Sequence, residues 1–489
     1  MTLSVFRCTP ALAPAGLLAL SALLSACAGG PAGPPGSDAL AAAVPALPAQ
    51  WQAPPTGGGP ALPVADHSWD GFGATLPELI AAAQAASPTL SGAAARIAQA
   101  RATRAAAGAA LLPSLDLQAQ ALQTRTVPRG GATASAQIGL QSAWEIDLFG
   151  AGAAGRAAAD ARLRAAQAGW HDARLAVAAE VASSYVALGA CEAQTRLVGQ
   201  DAQSRGETAR LTELSANAGF TPPADAALAR AGAANARNQL VSQGAACDTL
   251  LKSLVELTAL PEPELRRRLD AKLGGAGALF APPSFTLALS LPASLLARRP
   301  DLVRAEAAVL AAAGDQAQTA ALERPSVSLS GWLAGGAGRS SGVTASGAVW
   351  SFGPLLVDFP LFDAGRRAAN TVAARAAYDD AVLQYRGLAR RAVREVEVAL
   401  VALESATQRQ NDATVAAQDF EISVRATAAR QRAGLASLFD LEAARRSAVA
   451  AQSVLIDLQR ERAEAWIALF RALGGGWDAN TLSAAAAAP

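Results

Sequence analysis

The sequence contains few of the side chains on which catalysis and metal binding depend. Its 489 residues include only two histidines, His67 and His171, and four cysteines. A zinc site needs several such ligands at short spacing, and a catalytic nucleophile needs a base beside it. Neither arrangement occurs, and no glycine-rich phosphate loop is present. The sequence therefore argues against an enzyme and predicts no catalytic residue, metal or cofactor.

The chain also has little net charge and few aromatic side chains. The formal net charge is +1 at pH 7, so the chain lacks the positive charge with which proteins bind nucleic acid. Aromatic residues make up 5% of the chain, although hydrophobic residues make up 52%. Much of the remainder is alanine, which favours helices and allows them to pack closely. The composition predicts a largely helical protein.

The first 26 residues are predicted to be a lipoprotein signal peptide. An apolar run over 11–24 follows Arg7 and is too short to span a membrane. It ends at Leu24-Ser25-Ala26-Cys27, which resembles the box that a lipoprotein signal peptidase cleaves. We expect Cys27 to be the lipidated N-terminus of the mature protein, and Ala28 to direct it to the outer membrane. An ordinary secretory signal with an incidental cysteine is the alternative.

The remaining chain repeats one architecture. Pro88, Pro113 and Gly219 recur as Pro300, Pro325 and Gly434, at an offset that grows from 212 to 215 residues. A unit of this length is too long for a solenoid repeat and indicates a duplicated half-fold. The predicted segments are a tether over 27–74, a first repeat over 75–270, a linker over 271–291, a second repeat over 292–474 and a C-terminal tail over 475–489.

Each repeat contains two segments that alternate with a period of two. The predicted strands cover about 114–125, 134–148, 326–336 and 344–362, each with one apolar and one polar face. Strands of this length suit an outer-membrane β-barrel, but four cannot close one. Chains must therefore share the barrel. A dimer would give 8 strands, which side chains fill, whereas a trimer would give 12, which leave a lumen, so a channel requires the trimer. A soluble α+β protein with two hairpins is the alternative.

Each strand pair is followed by a long segment of helical character. Residues 151–216 contain no proline, and Trp170, Val177 and Cys191 belong to a seam of seven-residue spacing that is typical of coiled coils. The seam breaks at Gly219, and the second copy breaks at Gly434. The sequence predicts two helical hairpins, over about 151–260 and 364–472. The predicted fold class is mainly α with a membrane β-barrel.

Two cysteines are placed to form a disulfide. Cys191 and Cys247 are equidistant from the turn at Gly219, and both lie on seams of seven-residue spacing. They are therefore level across an antiparallel helix pair, and an oxidising periplasm would join them. Two buried free thiols are the alternative.

Three motifs carry a family resemblance. Residues 291–301, LPASLLARRPD, are similar to the "LPxxLLxRRPD" signature of outer-membrane efflux lipoproteins. Residues 361–367 resemble their "PxFDxGRR" junction, and residues 473–477 resemble their C-terminal "LGGGW". Together with the duplication, the resemblance covers about 70–485. It identifies the chain as similar to the TolC-like outer-membrane channels, in the lipoprotein branch of the tripartite, RND-type multidrug efflux systems.

This resemblance implies a homotrimer with a 12-stranded β-barrel in the outer membrane and an α-helical barrel in the periplasm. The implied partners are outer-membrane lipid, a periplasmic adaptor protein and a proton-driven inner-membrane efflux pump. The channel would conduct small molecules passively. The hairpin tips would contact the adaptor, and their residues are Gly219, Phe220, Thr221, Gly434, Leu435, Ala436 and Ser437.

The resemblance also implies a pore gate beside the second tip. Phe439 stands where relatives carry a gating apolar residue, and Asp440 where some carry a pore-lining aspartate. Ala443 stands where others carry a further aspartate, which departs from the pattern. A core contact for Phe439 and a solvated acid at a helix N-terminus for Asp440 are the alternatives.

Three other functions are alternatives to a drug efflux channel. An exit duct for type I protein secretion shares the channel architecture, but the lipoprotein box favours drug efflux. A lipid-anchored periplasmic coiled-coil scaffold would need no amphipathic strands. An envelope enzyme lacks a catalytic group of residues.

Overall fold

The structure is a computed structural model that describes residues 47–53, 61–62, 66–125, 132–273, 286–287, 298–340, 343–475 and 477. The predicted signal peptide, Cys27 and most of the predicted tether lie outside the described residues. The chain divides into two compact units. One contains Gln99–Leu163 and Ala307–Leu383, and the other contains Val44–Ala98, Arg164–Glu306 and Gln384–Pro489.

Eight α-helices and six strands are described. The helices are α1 Thr75–Ala86, α2 Pro88–Ala109, α3 Ala151–Asn217, α4 Pro223–Thr258, α5 Glu262–Leu273, α6 Pro300–Ala321, α7 Arg366–Arg432 and α8 Leu438–Ala472. The strands are β1 Ala61–Leu62, β2 Ser114–Arg125, β3 Ala132–Ile146, β4 Thr286–Leu287, β5 Ser326–Ser340 and β6 Val343–Asp358. A 3₁₀ helix covers Asp66–Phe72.

Four long strands form one antiparallel sheet in the first unit, in the order β2-β3-β5-β6. The register places Leu117, Leu140, Leu333 and Trp350 in one row across the sheet. Another row, on the opposite face, is Gln120, Gln137, Gly336 and Gly347. One face is therefore apolar and the other polar or small, as the alternation in the sequence predicts. Among the described residues, β2 and β6 are edges with no further strand beside them.

Three strand boundaries differ from the prediction. β3 covers Ala132–Ile146, which is two residues earlier at both ends than the predicted 134–148. β5 continues to Ser340 instead of ending at 336, because its glycines are strand residues and not a turn. A Cβ on Gly336 would lie 2.6 Å from the carbonyl oxygen of Ala136, so close strand packing requires glycine there. β6 ends at Asp358, before the predicted 362, because Asp358 pairs with Ser326, the first residue of β5, and β5 offers no partner beyond it.

The helical segments fold back on themselves. α3 and α7 each contain 67 residues, and α4 and α8 contain 36 and 35 residues. α3 includes an 18-residue window with mean hydropathy 1.3, long and apolar enough to cross a membrane, but 61% of that window is buried in the protein. Its apolarity therefore serves helix packing, in which buried alanines allow close approach.

The end of the predicted tether is packed against the helices, so the assignment of a tether over 27–74 is wrong there. Trp69 and Phe72 are buried, and their rings contact Trp466 and Phe470 of α8. Buried aromatic rings contribute large apolar area, which outweighs the conformational freedom of this segment.

The predicted tether and the predicted linker also pair with each other. β1 lies in the first of these segments and β4 in the second, and the two form a short parallel ladder. The first repeat also continues past 270, because α5 extends to Leu273.

Candidate functional site

The first hairpin turns at a glycine in the left-handed region. Gly219 has φ +80°, and the hydroxyls of Ser215 and Thr221 lie 2.6 Å apart across the turn. α4 then begins after Pro222, which forms no side-chain cap. Phe220 is 86% exposed at the tip. The turn thus presents a large apolar side chain to solvent.

Further along this hairpin, Cys191 and Cys247 form a disulfide with a Cα–Cα separation of 5.6 Å. The side-chain amide of Gln243 lies 3.3 Å from the sulfur of Cys191, and the hydroxyl of Thr195 lies 3.2 Å from that of Cys247. In the structure the two helices of the first hairpin are therefore covalently joined.

The second hairpin turns at Gly434, which has φ +73°. α8 begins after Ser437 with a capping box. The Asp440 amide donates to the Ser437 hydroxyl at 3.0 Å, and the Ser437 amide donates to the Asp440 carboxylate at 2.8 Å. Hydrogen bonds from the side chain and then the backbone of Ser437 hold the pKa of Asp440 below its usual value. In this structure Asp440 acts as a helix-capping acid.

The other residues predicted at this tip flank the capping box of Ser437 and Asp440. Leu435 is 70% exposed, and Ala436 is half-buried. Phe439, the predicted gating side chain, is 39% exposed on the first turn of α8. It is therefore not a buried core contact.

A polar cluster that sequence reasoning missed joins the second hairpin to the first. Glu442 of α8 is only 9% exposed, and its carboxylate accepts a hydrogen bond from Thr208 of α3 at 2.8 Å. Arg445 donates to Glu442 at 2.8 Å and to Ser204 of α3 at 2.6 Å. The spacing of Glu442 and Arg445 predicts a helical pair. Their burial against α3 depends on tertiary packing, which no local pattern reveals.

At the other end of α8, two of the resemblance motifs meet. The buried Arg299 guanidinium donates to the Ala472 carbonyl at 3.1 Å, to Asp301 at 2.7 Å and to Glu395 at 2.8 Å. Burial opposes the charge of Arg299, yet these carboxylates raise its pKa above the usual value. A Cβ on Gly474, which has φ +94°, would lie 2.2 Å from the Arg298 carbonyl oxygen. The arginine and glycine motifs thus form one cap over the C-terminus of α8.

The third motif lies at a junction between strand and helix. The carboxylate of Asp363 accepts backbone hydrogen bonds from Gly365 and Arg367, both at 3.1 Å. Asp147 does the same before α3, accepting from Gly152 at 3.1 Å and Ala153 at 2.7 Å. In both repeats a carboxylate satisfies the free N–H groups that begin the long helix.

Known proteins share this architecture. Residues 79–260 and 291–475 match the outer membrane efflux protein family. The chain is 28% identical to the pyoverdine export outer membrane protein OpmQ of Pseudomonas aeruginosa, over 95% of this chain and 97% of that protein. It is 30% identical to the outer membrane protein OprJ of the same species, over 72% of each chain. The solved outer-membrane channel OprN superposes with a TM-score of 0.75, at 25% identity, over 89% of this chain and 99% of that one.

The family match extends over both repeats and includes the motifs at residues 298–301, 363–367 and 473–475, whose structural roles are described above. The chain belongs to the outer membrane efflux protein family.

Proposed function

We propose that three copies of this efflux protein share one 12-stranded barrel and conduct small molecules passively across the outer membrane. The observation that carries the proposal is the two-faced sheet with two open edges. Its apolar face suits lipid and its polar face suits water. An edge in lipid would leave backbone groups without hydrogen bonds, so β2 of one copy pairs with β6 of the next. Eight strands would be filled by side chains, whereas 12 leave a lumen.

The long helices of the three copies form a second barrel in the periplasm. Family membership and the lengths of α3 and α7 support this part of the proposal. A periplasmic adaptor docks at the two tips, Gly219 to Thr221 and Gly434 to Ser437, where Phe220 and Leu435 offer apolar contacts. The adaptor connects the channel to an inner-membrane pump that supplies the energy.

The conduit closes at the start of α8. Phe439 is partly exposed there, and α8 is held to α3 by hydrogen bonds instead of a covalent bond. Movement of the second hairpin would open the pore. Asp440 stabilises the first turn of α8 through its capping box, and so supports the position of Phe439.

A lipid on Cys27 gives the protein a second anchor besides the barrel. Acyl chains on one cysteine provide stable attachment, since about 0.8 kcal/mol accumulates for each buried CH₂. Mass spectrometry of the N-terminal peptide tests this part: a peptide that begins at Cys27 and carries acyl mass supports it, and an unmodified peptide that begins elsewhere rejects it.

The mass of the purified particle in detergent tests the assembly. We expect a trimer that dissociates only on heating. A well-folded monomer as the sole species would reject the shared barrel. Edge variants provide the matched test, since a proline on β2, at a residue whose N–H points away from β3, would remove an intermolecular hydrogen bond and release monomers, while a proline in the tail after 478 would not.

A further inference from the structure

A cavity of about 580 Å³ lies between α3, α6, α7 and α8. Its apolar wall is formed by Leu175, Leu388 and Val398 together with alanines of α7 and α8. Its volume lies in the range of small-molecule sites, which are mostly apolar with a few polar groups. The cavity therefore has the size and lining of a ligand site.

The charges around this cavity are predominantly positive. Five arginines line it against three carboxylates, which leaves an excess of two positive charges. Arg299 is committed to Asp301 and Glu395, as described above, and Arg304 pairs with Asp172 at 3.3 Å.

The remaining three arginines are Arg391, Arg394 and Arg471, and all are exposed. None of them lies within ion-pair distance of a carboxylate that the structure describes. Burial raises the pKa of nearby Asp172, and the charge of Arg471 acts on Asp172 in the opposite direction. Arginine presents several N–H donors in a rigid fork that matches carboxylate, sulfonate and phosphate groups. Their donors are therefore available to an anion.

The cavity opens on the side of the helices that the N-terminal segment leaves uncovered. On α8, Trp466 and Phe470 are covered by Trp69 and Phe72, whereas Ala468 and Arg471, about half a turn away, line the cavity.

On α7, too, the N-terminal segment contacts one side of the helix, and other residues line the cavity. Its Glu397 accepts hydrogen bonds from the backbone of Gln52 and Ala53, at 2.7 and 2.8 Å. Around the helix, Arg391 lies about a third of a turn from Glu397, and Arg394 lies between the two; both arginines line the cavity. If the N-terminal segment faced inward in the proposed helical barrel it would obstruct the conduit. The covered side is therefore placed outward, and the open side with the arginines faces the conduit.

We propose that this cavity is a binding site for anionic molecules with an apolar body, such as aromatic or aliphatic carboxylates and sulfonates, on their way through the conduit. The apolar wall takes the body of the molecule, and Arg391, Arg394 and Arg471 take its anionic group. The transport role of the site rests on the proposed conduit, while the binding itself does not.

The test is isothermal titration calorimetry of the full-length protein in lipid nanodiscs with naphthalene-2-sulfonate. Naphthalene-2-methanol, which is uncharged and of similar shape, is the matched ligand. We expect the sulfonate to bind at least about tenfold more tightly, because hydrogen bonds to charged groups are the stronger ones. Added salt should reduce this preference, since the arginines are exposed to solvent.

The matched variants are Arg391→Gln with Arg394→Gln, and Arg390→Gln as the control. Arg390 is an exposed arginine on the same helix that does not line the cavity. The double variant should lose about tenfold or more of its sulfonate affinity, and the control should keep it. Equal binding of the two ligands, or an unchanged double variant, would overturn the proposal.

The same preparations separate this inference from the proposed function. Sulfonate binding through Arg391 and Arg394 in a protein that forms no conducting trimer would sustain the site and reject the conduit. Conducting trimers that bind both ligands equally would sustain the conduit and reject the site.

Discussion

The first helical hairpin, α3 with α4, and the second, α7 with α8, share an architecture but are held by different interactions. The first carries the disulfide between Cys191 and Cys247. The second contains no cysteine and is tied to α3 by Glu442 and Arg445 through hydrogen bonds. Hydrogen bonds exchange more readily than a covalent bond breaks. The contrast favours the second hairpin as the moving part of the proposed gate.

The two hairpin tips also differ in how their second helices, α4 and α8, begin. Pro222 precedes α4 without a side-chain cap, but proline at the start of a helix already restricts the backbone. α8 depends on the capping box between Ser437 and Asp440, whose hydrogen bonds a small change can remove. The two copies of the hairpin therefore differ both in their cross-links and in their helix caps.

The largest expected effect is the loss of the disulfide. Changing both Cys191 and Cys247 to serine should lower the free energy of unfolding by about 4 kcal/mol, since a long closed loop no longer restricts the unfolded chain. The measurement is denaturant unfolding in detergent. A reductant should destabilise the wild type and leave the double variant unchanged. Two alkylatable thiols at these positions in protein purified without reductant would contradict the prediction.

Glu442→Ala should have the next largest effect. It leaves the partly buried Arg445 and Thr208 without their acceptor, at a cost of about 1–3 kcal/mol, and it should raise the conductance of the closed channel. The control is Glu207→Ala on α3, because Glu207 pairs with Arg210 while both are exposed. A fully exposed ion pair contributes little to stability, because water and salt screen it. Equal conductance changes in the two variants would contradict the role of the buried cluster.

Loss of the cap should be smaller. Ser437→Ala removes the acceptor for the Asp440 amide and should destabilise the start of α8 by about 1 kcal/mol. Amide hydrogen exchange should accelerate in the first turn of α8, residues 438–441, and not at the start of α4. Ser437→Thr preserves a hydroxyl and serves as the control. Unchanged exchange in the alanine variant would show that the cap does not hold this turn.

The smallest expected effect depends on pH. The pKa of Asp440 is lowered in the folded protein, so its stabilising contribution is fully present above its usual value of 3.8 and is lost as the pH falls below that value. The difference in exchange of the first turn of α8 between wild type and Asp440→Asn should therefore shrink as the pH is lowered through this range. A difference that is independent of pH would show that the charge of Asp440 does not act there.

The sequence predicted those parts of the fold that follow from local patterns. The period of two located β2, and glycines 219 and 434 located both hairpin turns. The predicted C-terminal end of β5 is wrong because glycine usually signals a turn. Gly336 is instead a strand residue, and the close approach of Ala136 leaves no room there for a side chain. Similarly, a segment rich in proline and glycine concealed the two aromatic residues, Trp69 and Phe72, that dock on α8.

The candidate sites differ in the same way: some follow from local sequence patterns, and others depend on tertiary packing. The pairing of Cys191 with Cys247 could be argued from symmetry about a turn within one hairpin. The cluster around Glu442 and the arginine cavity bring together residues that lie hundreds of positions apart. Their charges look like solvated helix faces in the sequence, and only tertiary packing distinguishes them.

The central claim is that the channel closes at the second hairpin and not at the first. Single-channel conductance in planar bilayers tests it with two matched substitutions, Phe439→Ala and Phe220→Ala, each of which removes an aromatic ring beside one tip. We expect Phe439→Ala to raise the closed-state conductance and Phe220→Ala to leave it at the wild-type value. An increase with Phe220→Ala alone, or no change with Phe439→Ala, would contradict the account.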